Sequence, residues 1–159
     1  MPSVTRKTSP KQPVSPPEPR RLVLDEDITY KLSYELTKRG KHATAVHLQR
    51  FDGKKDGALF KALAELEPFV LVTWDNKMPF VHARELEHHR TTLAVVSRSA
   101  YYQAQHLYGD EITFIRDVVH RWAHVIEAQV PNTVRRYGHR SVSKAKSPTA
   151  YAQTTKPPR

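Results

Sequence analysis

Short apolar runs alternate with helix-like periodicities along the middle of this 159-residue chain, and this alternation constrains the fold more than any other feature. The runs at 22–24, 43–48, 69–73 and 92–96 predict four strands, and the segments between them predict helices. Strands that alternate with helices form parallel sheets with helices on both faces. The sequence therefore predicts an α/β fold with a mainly parallel sheet of four to five strands, followed by a long helix at about 110–130.

The ends of the first two helices carry recognisable signals. Ile28, Leu32 and Leu36 recur at intervals of four, and Gly40 follows where that helix should end. Asp56 is suited to cap and open the second helix, because a carboxylate accepts hydrogen bonds from the first free N–H groups.

Charge and proline content divide the chain into three parts. Residues 1–21 hold five Lys or Arg and one Glu, residues 128–159 hold seven Lys or Arg and no acid, and 14 cations face 15 acids in between. This pattern predicts a disordered Pro-rich basic tail at 1–20, a domain at 21–131 and a second disordered basic tail at 132–159. Such arms often contact nucleic acid, although they can equally be solvated linkers.

Composition excludes several classes of protein. The longest apolar stretch, at 69–72, is far shorter than the ~18 residues that a membrane span requires. The first twenty residues lack the apolar core of a secretory signal, so we expect a cytoplasmic protein that does not associate with membranes. The chain has no cysteine, which excludes thiolate metal sites and thiol chemistry.

Three aspartates are predicted to meet at one edge of the sheet. Asp25 directly follows the first strand, and Asp75 follows the third, so both reach the carboxyl edge where parallel sheets bind ligands. Asp56 opens the helix that leads into the third strand and should begin near the same edge. Because converging carboxylates repel one another, they favour a bound cation, and Mg²⁺ or Mn²⁺ prefers such oxygen ligands. A metal ion there could activate water for phosphodiester hydrolysis.

Each of these acids also has an ordinary structural interpretation. Asp25 and Asp27 are suited to cap the first helix, and Asp56 is suited to cap the second. Asp75 is suited to a turn before Asn76. Spacing alone leaves both interpretations open.

Four segments resemble the small PIN-like proteins related to VapC-type toxins. Residues 22–27, Leu-Val-Leu-Asp-Glu-Asp, resemble their LLDENL opening, and 36–42 resembles their L-x-x-x-G-H helix end with one lysine inserted. Asp56 falls at the acid of their s-D-e-e-i motif. Residues 71–75, Leu-Val-Thr-Trp-Asp, resemble their vlvTxD strand and turn. The matches follow the family's order within residues 21–97.

This resemblance implies a three-layer α/β/α fold and a ribonuclease site that depends on Mg²⁺ or Mn²⁺. Asp25, Asp56 and Asp75 would be the catalytic metal ligands. The family often continues T-x-D-x-D-F, and here a lysine replaces the second aspartate. That lysine could offset the lost charge, contact a substrate phosphate, or weaken metal binding. The supporting residues implied at these motifs are Glu26, Asp27, Thr73, Asn76 and Lys77.

These observations predict a divalent-metal-dependent endoribonuclease, with a role as the toxin of a toxin–antitoxin pair and RNA as its substrate. The alternative is a non-catalytic PIN-like module that binds nucleic acid or protein. A phosphatase-like hydrolase with Asp25 as nucleophile is a third hypothesis, although the remaining phosphate-binding residues are not evident. The apolar stripe around Trp122 in the last helix could also serve a homodimer or an antitoxin-like partner.

Two further groups of residues have alternative interpretations. His120 and His124 share a helix face, but no third ligand of suitable spacing accompanies them for zinc. Tyr101, Tyr102 and Tyr108 lie close in sequence to an arginine, a combination that occurs where bases stack on aromatic rings. Packing beneath the last helix is the alternative for these tyrosines.

Overall fold

The structure is a computed structural model that describes residues 19–54, 56–66 and 68–158, with the side chain of Asp56 excepted. Five parallel strands form one sheet in the order β2-β1-β3-β4-β5. Of the predicted tail at 1–20, residues 1–18 lie outside the described residues. The strands are β1 (Arg21–Leu24), β2 (Ala43–Ala45), β3 (Phe69–Thr73), β4 (Leu93–Val96) and β5 (Val134–Tyr137).

Helices cover both faces of this sheet, so the predicted three-layer α/β/α architecture is confirmed. On one face α1, α5 and α6 enclose a core with Leu22, Leu24 and Phe114. On the other face α2, α3, α4 and α7 enclose a core with Val23 and Leu71. The described helices are α1 (Lys31–Lys38), α2 (Asp56–Ala64), α3 (Met78–Val81), α4 (Ala83–His88), α5 (Arg98–Ala104), α6 (Glu111–Glu127) and α7 (Pro148–Thr154).

The strands read as continuously apolar because successive side chains enter two different cores. Leu22 and Leu24 pack against one helical layer, whereas Val23 between them packs against the other, and all three are fully buried. Between the strands, Gly40 ends α1 as predicted, since its φ of +81° is a conformation that other residues rarely adopt. The second predicted strand is shorter than expected and ends at Ala45.

The prediction of a disordered tail at 132–159 is wrong. Strand β5 pairs in parallel with β4, with Val134 opposite Leu93. Helix α7 begins behind a Ser147 cap whose side chain accepts the N–H of Ala150. Tyr151 is only 3% exposed and packs on Phe80 at a ring-centroid distance of 5.6 Å. A few large apolar side chains therefore fold a segment whose charge suggested disorder.

The domain boundaries move outward accordingly. At the N-terminal side, the backbone N–H of Arg20 donates to the carbonyl of Glu127 at 3.1 Å, and its guanidinium donates to Thr92 Oγ1 at 3.0 Å. Among the described helices, even the 17-residue α6 lacks the length and apolar character needed to cross a bilayer.

Because Tyr151 anchors α7 in the core beside Phe80, we expect Tyr151→Ala to lower the free energy of unfolding by about 3 kcal/mol, the usual cost of removing a buried aromatic ring. Urea denaturation followed by circular dichroism measures this. The matched control is Tyr102→Ala, because Tyr102 is 60% exposed and should change stability by less than about 0.5 kcal/mol. Equal unfolding midpoints for the two variants would contradict the packing of α7.

Candidate functional site

The strand order creates a crevice at the carboxyl ends of β1 and β3. From β1 the chain crosses to β2 on one side, and from β3 it crosses to β4 on the other side. In open α/β sheets such a point, where the strand order reverses, is the usual ligand-binding position. Asp25 directly follows β1 and Thr73 ends β3, so both residues lie at this crevice.

Asp25 is held rigidly at the crevice by hydrogen bonds. It is 5% exposed, its Oδ2 accepts the hydroxyl of Thr73 at 2.7 Å, and its Oδ1 accepts the backbone N–H of Glu26 at 2.8 Å. Burial raises the pKa of Asp25, and these two hydrogen bonds only partly oppose that effect. The position therefore disfavours a bare negative charge.

Asp27 lies on the same crevice. Its Oδ1 accepts the backbone N–H of Trp74 at 3.3 Å, and its Oδ2 is 3.5 Å from the hydroxyl of Thr73. The residue is exposed overall, but its carboxylate loses part of its contact with water. This loss, and to a smaller extent repulsion from Asp25, raises the pKa of Asp27 to about 7. The prediction placed Asp27 in a supporting role, and the structure brings it beside the central acid.

Asp75 completes the acidic cluster, which we define as Asp25, Asp27 and Asp75. Its Oδ1 accepts the backbone N–H of Lys77 at 3.0 Å, so it does form the turn that its sequence position suggested. Its negative charge also contributes to the raised pKa of both Asp25 and Asp27. Asp75 therefore forms the predicted turn and also lies near the other two acids, while its role as a metal ligand stays a prediction.

The remaining predicted supporting residues have distinct positions. Glu26 is exposed, and its carboxylate accepts the N–H of Gly53 at 3.3 Å, which ties the crevice to the loop after β2. The amide of Asn76 donates to the carbonyls of Trp74 and Val96 at 2.9 Å each, so it joins the ends of β3 and β4. Lys77 is exposed beside the acidic cluster.

The acidic cluster has the right type of ligand for a metal ion, but its described side chains do not form a complete ligand set. Its carboxylate oxygens are of the kind that Mg²⁺ and Mn²⁺ prefer, and their mutual repulsion would be relieved by a cation. Within the described residues, however, no group of three or more His, Asp or Glu side chains is arranged to hold a metal ion. The backbone of Asp56 opens α2 as predicted, but its side chain lies outside the described residues. A full ligand set would need Asp56.

A cavity of about 750 Å³ opens directly beside the acidic cluster and shares Asp75 with it. Arg98, two residues beyond the end of β4, helps to line it, and its charge partly counters the raised pKa of Asp27. Asp75 was predicted at the site from the same position after β3, so the sequence contained a comparable signal for Arg98. The other cationic residues that line the cavity are Lys77, Arg136 and Lys156.

The three tyrosines near Arg98 divide between the two interpretations. Tyr101 is 5% exposed and belongs to the core, and Tyr108 hydrogen-bonds Asp117 and His139. Tyr102 alone lines the cavity with an exposed ring. Elsewhere, His120 hydrogen-bonds Glu35 at 3.0 Å.

Comparison with known proteins does not assign this chain to a family. No family model matches it, and searches against curated proteins and against solved structures found no match. The resemblance to PIN-like proteins therefore stays a prediction.

The raised pKa of Asp27 makes stability depend on pH. Folding lifts this pKa from about 4 to about 7, so the folded state binds more protons than the unfolded state between those values. Stability contributed by protonated Asp27 is therefore lost as pH rises through 7. In EDTA, we expect the free energy of unfolding to fall between pH 5 and pH 8, and to fall less in Asp27→Asn.

Urea denaturation across this pH range measures the effect. Glu111→Gln removes an equal charge from an exposed position on α6 and should keep the pH profile of the wild type. An Asp27→Asn profile as steep as that of the wild type would show that Asp27 ionises normally.

Proposed function

We propose that this protein is a divalent-metal-dependent ribonuclease of the PIN-like type that acts in the cytoplasm. The observation that carries the proposal is the placement of the acidic cluster at the β1–β3 crevice, next to a cationic cavity that shares Asp75. Acids that can hold a metal ion and cations that can hold phosphate are the two components that phosphodiester hydrolysis needs.

The residues of the chain have separate tasks in this proposal. A divalent ion would supply a Lewis acid and an activated water when bound. Thr73 fixes the orientation of Asp25 through its 2.7 Å hydrogen bond, and Asp75 is fixed by its own turn. Asp56 would complete the ligand set from the start of α2.

The cations beside the acids would position the substrate. Lys77 and Arg98 lie on the same cavity as Asp75, so a phosphate near the acids would be within the cationic region. The proposed role of toxin comes from the resemblance alone, and a homodimer or an antitoxin-like partner comes from the resemblance together with the apolar stripe around Trp122.

A non-catalytic binding module is the second candidate. It is favoured by the lack of a three-ligand metal group among the described side chains and by Lys77, a cation in the turn that carries Asp75. In that case the acidic cluster would be a remnant, and the cationic cavity would bind nucleic acid without cleaving it.

Asp25→Asn should lower the rate of RNA cleavage in Mn²⁺ by on the order of 100-fold or more, because it removes a charged oxygen ligand while preserving shape. Cleavage of a fluorescently labelled RNA under single-turnover conditions measures the rate. Glu111→Gln changes the charge by the same amount at an exposed position outside the acidic cluster and should cleave like the wild type. Equal residual cleavage by wild type and Asp25→Asn would refute the catalytic role.

Titration calorimetry with Mn²⁺ separates the two candidate functions. The ribonuclease should bind Mn²⁺ saturably, and both Asp75→Asn and Asp56→Asn should weaken that binding by about 10-fold or more. If titration of Mn²⁺ into the wild type gives no heat above that of dilution, while the protein still binds RNA, the non-catalytic module is favoured.

A further inference from the structure

The cationic cavity extends well beyond the acidic cluster. A second cavity of about 340 Å³ shares Arg136, Tyr151 and Lys156 with the first and continues to Lys144 and Lys146. We call the two cavities together the basic groove. It runs from Asp75 along β5 and α7, the segment that the sequence assigned to a disordered tail.

The cations of the basic groove have no ion-pair partners in the described part of the chain. Elsewhere on the domain some cations are paired, such as Lys41 with Glu127 at 2.8 Å and Arg116 with Glu35 at 3.2 Å. Asp75 is the one acid among the described lining residues of the groove. The groove therefore keeps a positive potential that attracts a polyanion.

Arg98 is preorganised for such a ligand. Its guanidinium lies 4.9 Å from the centroid of the Trp74 ring, and its Nε donates to the carbonyl of Trp74 at 3.2 Å. Stacking and this hydrogen bond fix the plane of the guanidinium, while its two terminal nitrogens have no protein partner among the described residues. A planar donor pair held in this way suits a phosphate.

An exposed aromatic ring accompanies the cations. Tyr102 is 60% exposed, lines the groove and lies on the helix that begins at Arg98. A ring that lies beside a cationic track is a stacking surface for an unpaired base, whereas the bases of a duplex are already stacked inside the helix. The combination of cations and an exposed ring therefore favours a single-stranded nucleic acid over a duplex or a polyanion without bases.

We propose that the basic groove binds single-stranded nucleic acid, with backbone phosphates on Arg98, Arg136 and Lys156 and a base stacked on Tyr102. This inference takes one point from the proposed function, namely that the single strand is RNA. Binding in the groove requires neither metal ion nor hydrolysis.

The test is fluorescence anisotropy of the full chain in EDTA with a labelled RNA of about 12 nucleotides, a length within the site sizes of single-strand binders. We expect Arg136→Gln combined with Lys156→Gln to weaken binding about 10-fold and to reduce the salt slope by about 1 to 2. Tyr102→Ala should weaken binding by about 5- to 100-fold, and Tyr102→Phe should bind like the wild type.

The matched control is Lys38→Gln combined with Lys61→Gln, which removes the same charge from exposed sites in the last turns of α1 and α2. Equal loss in the control and groove variants would show that net charge alone, or residues outside the described part, attracts the RNA, and would overturn the groove. A duplex of the same sequence should bind about 10-fold more weakly, and equal binding would overturn the single-strand preference. Single-stranded DNA reports whether the 2′-hydroxyl contributes.

Failure of this proposal and failure of the ribonuclease proposal are distinguishable. Groove-dependent binding in EDTA without cleavage in Mn²⁺ would support the groove and reject the nuclease. Cleavage that depends on Asp25 but is unaffected by the groove variants would reject the groove and support the nuclease.

Discussion

The site depends on the parallel pairing of β1 with β3. Leu24 lies opposite Val72, and the N–H of Asp25 donates to the carbonyl of Val72 at 2.9 Å, which extends the ladder one residue beyond β1. Because side chains alternate along paired strands, this bond brings the carboxylate of Asp25 to the hydroxyl of Thr73. A shift of one residue in this register would turn both groups away from the crevice.

The same pairing creates an electrostatic conflict that folding alone does not resolve. Burial raises the pKa of Asp25 and Asp27, and the charge of Asp75 raises both further. Arg98 favours the ionised form of Asp27, but its effect is smaller than that of burial. Clusters of this kind reduce stability and persist where a ligand or reaction uses them, which is why the conflict favours a functional interpretation.

The sequence was sufficient to predict the layers of the fold and the position of Asp25, because both follow from apolar periodicity and from where strands end. It was insufficient for β5 and α7, because Arg135 and Arg136 sit between Val134 and Tyr137 and conceal a short edge strand. Charged side chains on an edge strand discourage pairing with other sheets, so this strand is a weak signal for a physical reason. The predicted ligand role of Asp56 depends on a side-chain position that no periodicity determines.

The two parts that the sequence separated, a nearly neutral domain and a basic C-terminal tail, are joined by shared residues. Tyr151 packs in the core beneath α7 and also lines the basic groove, and Arg136 belongs both to β5 and to the groove. A ligand bound to the groove therefore contacts elements that exist only when the C-terminal segment is folded. Such a ligand must stabilise the fold by an amount set by its affinity, about 2.7 kcal/mol at a concentration 100 times its dissociation constant. If the proposed groove binds a polyanion, folding of the C-terminal segment and that binding are one linked equilibrium, and the charge that hides β5 in the sequence would serve the proposed groove.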